Sequence, residues 1–187
     1  MGIFGKRRRL TTSEFGVALS ELVEPPDQET VSLLVDNLEE QSEIAELRVR
    51  YEWMIFDEFA VTWAVQQYFN GHIPPSLLRA LLDAFTKQVA DLLLLTKFNV
   101  DTSDCDLSIL DVYRHTQARF QRYWSAMEAN MEPSHNLINL GGAFASFLGA
   151  SERDPLFYMP PLELFKARTQ QLGEFLEAMN EVELVTG

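Results

Sequence analysis

The chain has 187 residues, 47% of them hydrophobic and 23% charged, with a formal charge of −13. That composition is too apolar for a disordered chain, and no uncharged stretch is greasy enough to span a bilayer, which leaves a folded globular domain. One cysteine, Cys105, rules out an internal disulfide, and the carboxylates of Asp104 and Asp106 beside it disfavour a reactive thiolate.

The charge is unevenly placed. Lys6, Arg7, Arg8 and Arg9 are four of the fifteen cations, so residues 10–187 hold eleven cations against twenty-eight carboxylates, a net −17. Between Leu10 and Leu47 there is no Lys or Arg, while ten carboxylates fall there, from Glu14 to Glu46. Such a surface repels phosphate backbones, so no nucleic-acid partner is expected for the body, and a basic protein suits it better. No apolar run follows the basic N-terminus, so it does not read as a secretory leader, and the expected location is cytoplasmic. Gly2 lacks the Ser or Thr at position 6 that myristoylation wants. Ile3 and Phe4 beside Lys6, Arg7, Arg8 and Arg9 offer at most a weak membrane-surface contact. Residues 1–10 are expected to be a flexible basic tail, and residues 11–187 one all-α domain.

Helical periodicity then runs almost end to end. Thr11, Thr12 and Ser13 offer N-caps for a short first helix ending before Pro25-Pro26. Asp27 caps a second, with Val31, Leu34, Val35 and Leu38 on one face. A third starts near Ser42 and ends at Asn70-Gly71, the usual C-cap chemistry. It is apolar almost all round from Tyr51 to Phe69, which predicts a central position in the bundle. Pro74-Pro75 opens a fourth, from Ser76 to about Lys97. Its apolar face is Leu77, Leu78, Leu81, Leu82, Phe85, Val89, Leu92 and Leu93, and its solvated face is the ladder Arg79, Asp83, Lys87 and Asp91. Residues 99–106 are a polar loop. A fifth helix spans about Leu107 to Asn130, a sixth Pro133 to about Gly149, and a seventh begins with Pro161 at its first position and reaches about Val182. No alternating strand rhythm and no solenoid repeat is present. The expected architecture is a single-domain all-α bundle of six to seven helices around a nearly all-apolar central one.

Two residues break the apolar pattern. At about 100° per residue, Glu58 falls between Leu47, Tyr51, Thr62 and Val65 on the third helix, where a carboxylate is desolvated and needs a partner or a raised pKa. Arg168 projects among Phe165, Leu172, Phe175 and Met179 of the seventh. A buried Glu58–Arg168 ion pair or a snorkelling arginine is the plain expectation; the sharper one is a ligand site. In the fifth helix His115, Arg119 and Arg122 form the body's one basic flank, expected to pair with its own carboxylates.

Catalytic constellations are missing. There is no Gly-x-Ser-x-Gly, no Walker A and no Gly-x-Gly-x-x-Gly. A di-iron bundle needs two Glu-x-x-His motifs; one occurs, Glu132-Pro133-Ser134-His135, across a helix start. Asp111 and His115 are one turn apart but off the apolar stripe, and His72 sits in a turn. No cofactor or metal is expected, and the chain does not read as an enzyme. Glu132-Pro133-Ser134-His135, with the helices split at Pro25-Pro26, is similar to an element of the cytosolic all-α chaperones that mature molybdenum oxidoreductases. Ser134 stands where that family has Asp, and the likeness covers these residues alone, so no membership is drawn from it.

The segment 134–151 carries no formal charge, and Gly141, Ala145 and Gly149 repeat at four-residue spacing, a pattern that lets another helix approach closely. Burial within the chain is the default for such a helix. If partly exposed, it is an apolar anchor near Leu137, Gly141, Phe144, Ala145 and Phe147 with an acidic rim. The function expected from this is non-enzymatic protein binding, as an adaptor, chaperone or regulator, with a basic partner or with a second copy through Gly141 and Ala145. One alternative is a carrier or sensor whose pocket is lined by Trp53, Trp63 and Trp124, with Glu58 nearby and Arg119 or Arg168 receiving an anionic head; it predicts an enclosed cavity of about 300 Å³ or more. The other is a carboxylate-based metalloprotein using Glu58 with His115 or His135.

Overall fold

A computed structural model describes residues 8–39, 41–95, 109–129, 133–178 and 182–186. Cys105, Lys6, Arg7 and Glu132 lie outside the described residues. Among the described residues, seven α-helices and one two-stranded sheet follow one another as β1 (Arg8–Thr11), α1 (Thr12–Ser20), α2 (Gln28–Asp36), α3 (Glu43–Phe69), α4 (Pro75–Leu95), α5 (Ile109–Glu128), α6 (Pro133–Phe147), α7 (Pro155–Ala178) and β2 (Val182–Val185). The fold is the all-α helical bundle expected.

The helix starts are set by local chemistry. Thr11 caps α1 in a capping box, its hydroxyl accepting the Glu14 N–H at 3.1 Å while the Glu14 carboxylate accepts the Thr11 N–H at 2.8 Å. Asp27 caps α2 by accepting the Thr30 N–H at 2.7 Å, and these cap hydrogen bonds pull its carboxyl below its ordinary value. Ser42 caps α3 through the Ala45 N–H. Asn70 closes α3 and Gly71 follows at φ +76, the left-handed geometry that a β-carbon disfavours.

Helix α3 is the axis. All twelve residues from Tyr51 to Thr62 are buried, and α2, α4, α5, α6 and α7 all pack on it. Ring pairs tie the layers together: Phe56 of α3 meets Tyr123 of α5 and Phe144 of α6 edge to face, and Phe59 of α3 meets Tyr123 at a tilt. On another side α1 lies so close to α4 that a β-carbon at Gly16 would come within 2.9 Å of Ala84 and Phe85.

Three local readings are corrected. Helix α7 begins at Pro155, not at Pro161. Asp154 starts it by accepting the Leu156 N–H through its side chain and the Phe157 and Tyr158 N–H groups through its carbonyl. Pro160 and Pro161 sit inside the helix, where their fixed φ suits the fold but neither can donate to the carbonyls of Leu156 and Phe157. At the other end α7 is described as far as Ala178, and Val182, expected as its last residue, lies instead in the strand Val182–Val185. That strand pairs in parallel with Arg8–Thr11, with Leu10 opposite Leu184, so the last residues of the supposed tail, Arg8, Arg9 and Leu10, belong to the folded body. Leu10 and Leu184 pack on the core, and Arg9 reaches Glu183 at 2.9 Å on the exposed side.

Candidate functional site

The residues singled out above sit in two regions around α3. The first is a set of buried charges. Glu52, Asp57 and Glu58 of α3 are all buried. Burying a carboxylate is expensive unless hydrogen bonds and an opposite charge replace water. Arg119 of α5 supplies both to Glu52 in a forked contact, Nη2 to Oε1 at 2.6 Å and Nε to Oε2 at 3.0 Å, with its guanidinium 4.6 Å above the Phe147 ring. The Glu52 carboxylate raises the Arg119 pKa against the opposing effect of burial. Arg168 of α7 does the same for Asp57, donating from Nε to Oδ1 at 2.8 Å and from Nη2 to Oδ2 at 3.0 Å. The Glu24 N–H adds a third donor to Asp57, and Arg168 also reaches Glu24 and Gln171. Burial pushes the Asp57 carboxyl up and these N–H groups pull it back.

The expected Glu58–Arg168 pair is therefore not formed. Asp57, one residue earlier and about 100° round the helix, takes the arginine. Glu58 has no cation among the described residues. Among the described residues a hydrogen bond from Thr86 of α4 is the one contact that favours its ionised form, Oε1 has no hydrogen-bond partner, and burial pushes the carboxyl up to about 8. The hydroxyls of Thr62 and Tyr123 are also buried without a partner among the described residues.

The basic flank of α5 pairs internally. Besides Arg119–Glu52, Arg122 reaches Glu152 at 2.9 Å, and the Tyr51 hydroxyl and His115 Nδ1 are 3.4 Å apart. Burial, with Glu52 adding to it, pushes the Tyr51 hydroxyl up to about 12.

The uncharged helix α6 is mostly core. Leu140, Phe144 and Ala145 are fully buried within the chain. Gly141 faces Tyr158 of α7, where a β-carbon would come 2.5 Å from the Tyr158 carbonyl oxygen, and Gly142 faces Glu152 in the same way at 2.8 Å. The close helix approach that small residues permit is thus made by α7 of the same chain. Gly141, Phe144 and Ala145 are not a free partner surface, and Phe147 is half-buried under Arg119. Gly149, at φ +79, ends the segment, with the Ala150 N–H bonded back to the Ala145 carbonyl.

Leu137 differs. With Trp63, Met127, Asn136, Phe165, Lys166 and Thr169 it lines a mainly apolar groove of about 280 Å³ between α3, α5, α6 and α7. Its floor is a tilted Trp63–Phe165 ring pair, centroids 5.2 Å apart. The other two tryptophans are elsewhere: Trp53 packs edge-on to Phe144, and Trp124 edge-on to Phe59. A second depression of about 360 Å³, lined by Ile138, Asn139, Gly142, Glu152, Arg153 and Tyr158, lies where α6 turns into α7. Among the described residues, no three His, Cys, Asp or Glu side chains are gathered as a metal ligand set. No helix among them is long and apolar enough to cross a membrane.

No family model, no curated protein and no solved structure matches this chain.

Sequence reasoning missed Glu24, Glu52 and Asp57 as partners of Arg119 and Arg168. The available signal was the three carboxylates on an otherwise apolar helix, matched by two arginines on apolar or flanking positions of other helices. It also missed Phe165 and Met127 as groove residues, because each lies on the ordinary apolar stripe of its own helix.

Proposed function

We propose that this chain is a non-catalytic protein-binding protein, an adaptor, chaperone or regulator, which receives apolar side chains of a partner in the groove between α3, α5, α6 and α7. The observation that carries this reading is the groove itself: Trp63, Met127, Leu137 and Phe165 around about 280 Å³, with Asn136, Lys166 and Thr169 among its other walls. That volume is just below the ~300–1,000 Å³ of typical small-ligand sites and suits one or two inserted side chains of the kind that anchor protein interfaces. The net −17 of residues 10–187 would steer a basic partner toward the molecule. The carrier reading is less well supported, since Arg119 and Arg168, its candidate receptors for an anionic head, are each engaged by a buried carboxylate. The anchor is accordingly the groove at Leu137, not the α6 face at Ala145.

Affinity capture from native cytosol tests this with a groove-filling variant, Thr169→Trp, against a control at the neighbouring exposed position, Gln170→Trp. Both should keep the wild-type circular dichroism. The expected result is a partner held by wild type and Gln170→Trp and lost with Thr169→Trp. Equal capture by all three overturns the groove as the binding site.

A further inference from the structure

The buried acid that no cation among the described residues neutralises sits at the α3–α4 contact. Glu58 is 1% exposed, and among the described residues the one hydrogen bond that reaches it comes from Thr86 of α4. Among the described residues its other oxygen has no donor, and Thr62, one turn along the same face of α3, has a buried hydroxyl that is equally unpartnered there. The described charged and titratable groups around Glu58 offer no compensation. On α3 and α5 the groups near enough to feel its charge are the phenols Tyr51 and Tyr113. Asp83 and Asp91 of α4 and Asp111 of α5 add further negative charge to the same phenols. Arg79 and Lys87 of α4 are exposed to solvent. On the side of α2 and α7, Arg168 is taken by Asp57 and Glu24, and on the side of α5 Arg119 is taken by Glu52. The described part of α6 contributes only His135 at its N-terminal end.

We propose that Glu58, Thr62 and Thr86 form a proton-binding latch: the neutral acid keeps α4 packed on α3, and loss of the proton loosens α4, together with α1, from the rest of the bundle. Helix α1 moves with α4 because Gly16 brings their backbones into contact, leaving no room for a slip between them. An ionised Glu58 in the closed form would be a charge with a single hydroxyl donor, whereas opening the α3–α4 contact returns it to water. Burial accordingly pushes its carboxyl from 4.5 up to about 8. The closed form therefore binds a proton that the open form has lost over the neutral range, and acid favours closure. Trp63 lies about 140° round α3 from Glu58, so the latch does not rest on the groove reading.

Native-state hydrogen exchange of the full chain between pH 5.5 and 9.5, corrected for intrinsic rates, tests the latch. In wild type the amides of α1 and α4 should exchange ahead of those of α6 and α7. Their opening should rise about tenfold per pH unit up to pH 8 and level off above it. In Glu58→Gln, which keeps the shape without the titration, that slope should vanish. Thr86→Val removes the hydroxyl that favours the ionised form and should move the levelling-off to higher pH. The latch is overturned if Glu58→Gln keeps the slope, if Thr86→Val leaves the break where it was, or if α1 and α4 exchange no faster than α6 and α7. A groove variant such as Thr169→Trp should leave the slope unchanged, whatever it does to partner capture.

Discussion

Replacing Gly141 and Gly173 by alanine, one at a time, should move stability in opposite directions. Both glycines lie inside helices, so each substitution gains about 1 kcal/mol of helix propensity. The surroundings decide the sign. At Gly173 nothing lies within 4 Å of the new β-carbon, and the gain is kept. At Gly141 the β-carbon would be 2.5 Å from the Tyr158 carbonyl oxygen, 2.9 Å from its Cβ and 3.1 Å from its carbonyl carbon. Two of those atoms are backbone and cannot rotate away, so α6 and α7 must part by several tenths of an ångström. Overpacking of this kind costs about 1–3 kcal/mol. The net effect at Gly141 is a loss of up to ~2 kcal/mol, and the two variants should differ by ~1–3 kcal/mol. Urea unfolding followed by circular dichroism measures both, and an unchanged slope with denaturant shows that the midpoint reports stability alone. If Gly141→Ala instead gains the same ~1 kcal/mol as Gly173→Ala, α6 and α7 are not in backbone contact, and the small-residue stripe is free to serve another chain after all.

The buried charges and the α6 core make further predictions. Arg168→Met leaves Asp57, with its fully buried side chain, uncompensated and should cost about 3–5 kcal/mol in urea unfolding, while the double variant with Asp57→Leu should recover most of that. Ala145→Glu places a carboxylate at a fully buried position and should abolish the native near-ultraviolet spectrum, whereas an intact fold would show that this face opens to solvent. Glu58 has a folded-state pKa raised from 4.5 to about 8, so its contribution is fully present below pH 4.5 and is lost as pH rises toward 8. The 3.5-unit difference corresponds to about 5 kcal/mol at most. Unfolding at pH 5 and pH 9 should therefore show Glu58→Gln far less sensitive to alkali than wild type, and equal sensitivity would refute the burial of an unpaired acid.

How much of this was legible in the sequence depends on the range of the interaction responsible. Caps act over three residues and obey spacing rules, so Thr11, Asp27, Ser42 and Asn70-Gly71 could be read directly. The start of α7 failed because two signals competed: Asp154-Pro155 and Pro160-Pro161 are both acceptable beginnings, and at the earlier one Asp154 caps the first N–H groups. The strand pair failed for the opposite reason. Arg8–Thr11 and Val182–Val185 are too short to announce themselves, and each is a strand only because the other end of the chain meets it across 174 residues of register. The same limit governs the candidate sites. That Arg168 and Glu58 were anomalous followed from the helical wheel of each, a local property. Which acid each arginine meets is settled by the rotation of α3 against α5 and α7, and a shift of one residue, about 100°, separates Asp57 in an ion pair from Glu58 without one. The small-residue stripe of α6 announced a close helix contact correctly but could not say whose helix. Once Tyr158 and Glu152 fill that place, the four-residue spacing of Gly141 and Ala145 has a packing cause within the chain, and a functional argument has to move to the side chains that this packing leaves uncovered, Leu137 and Trp63 at the groove.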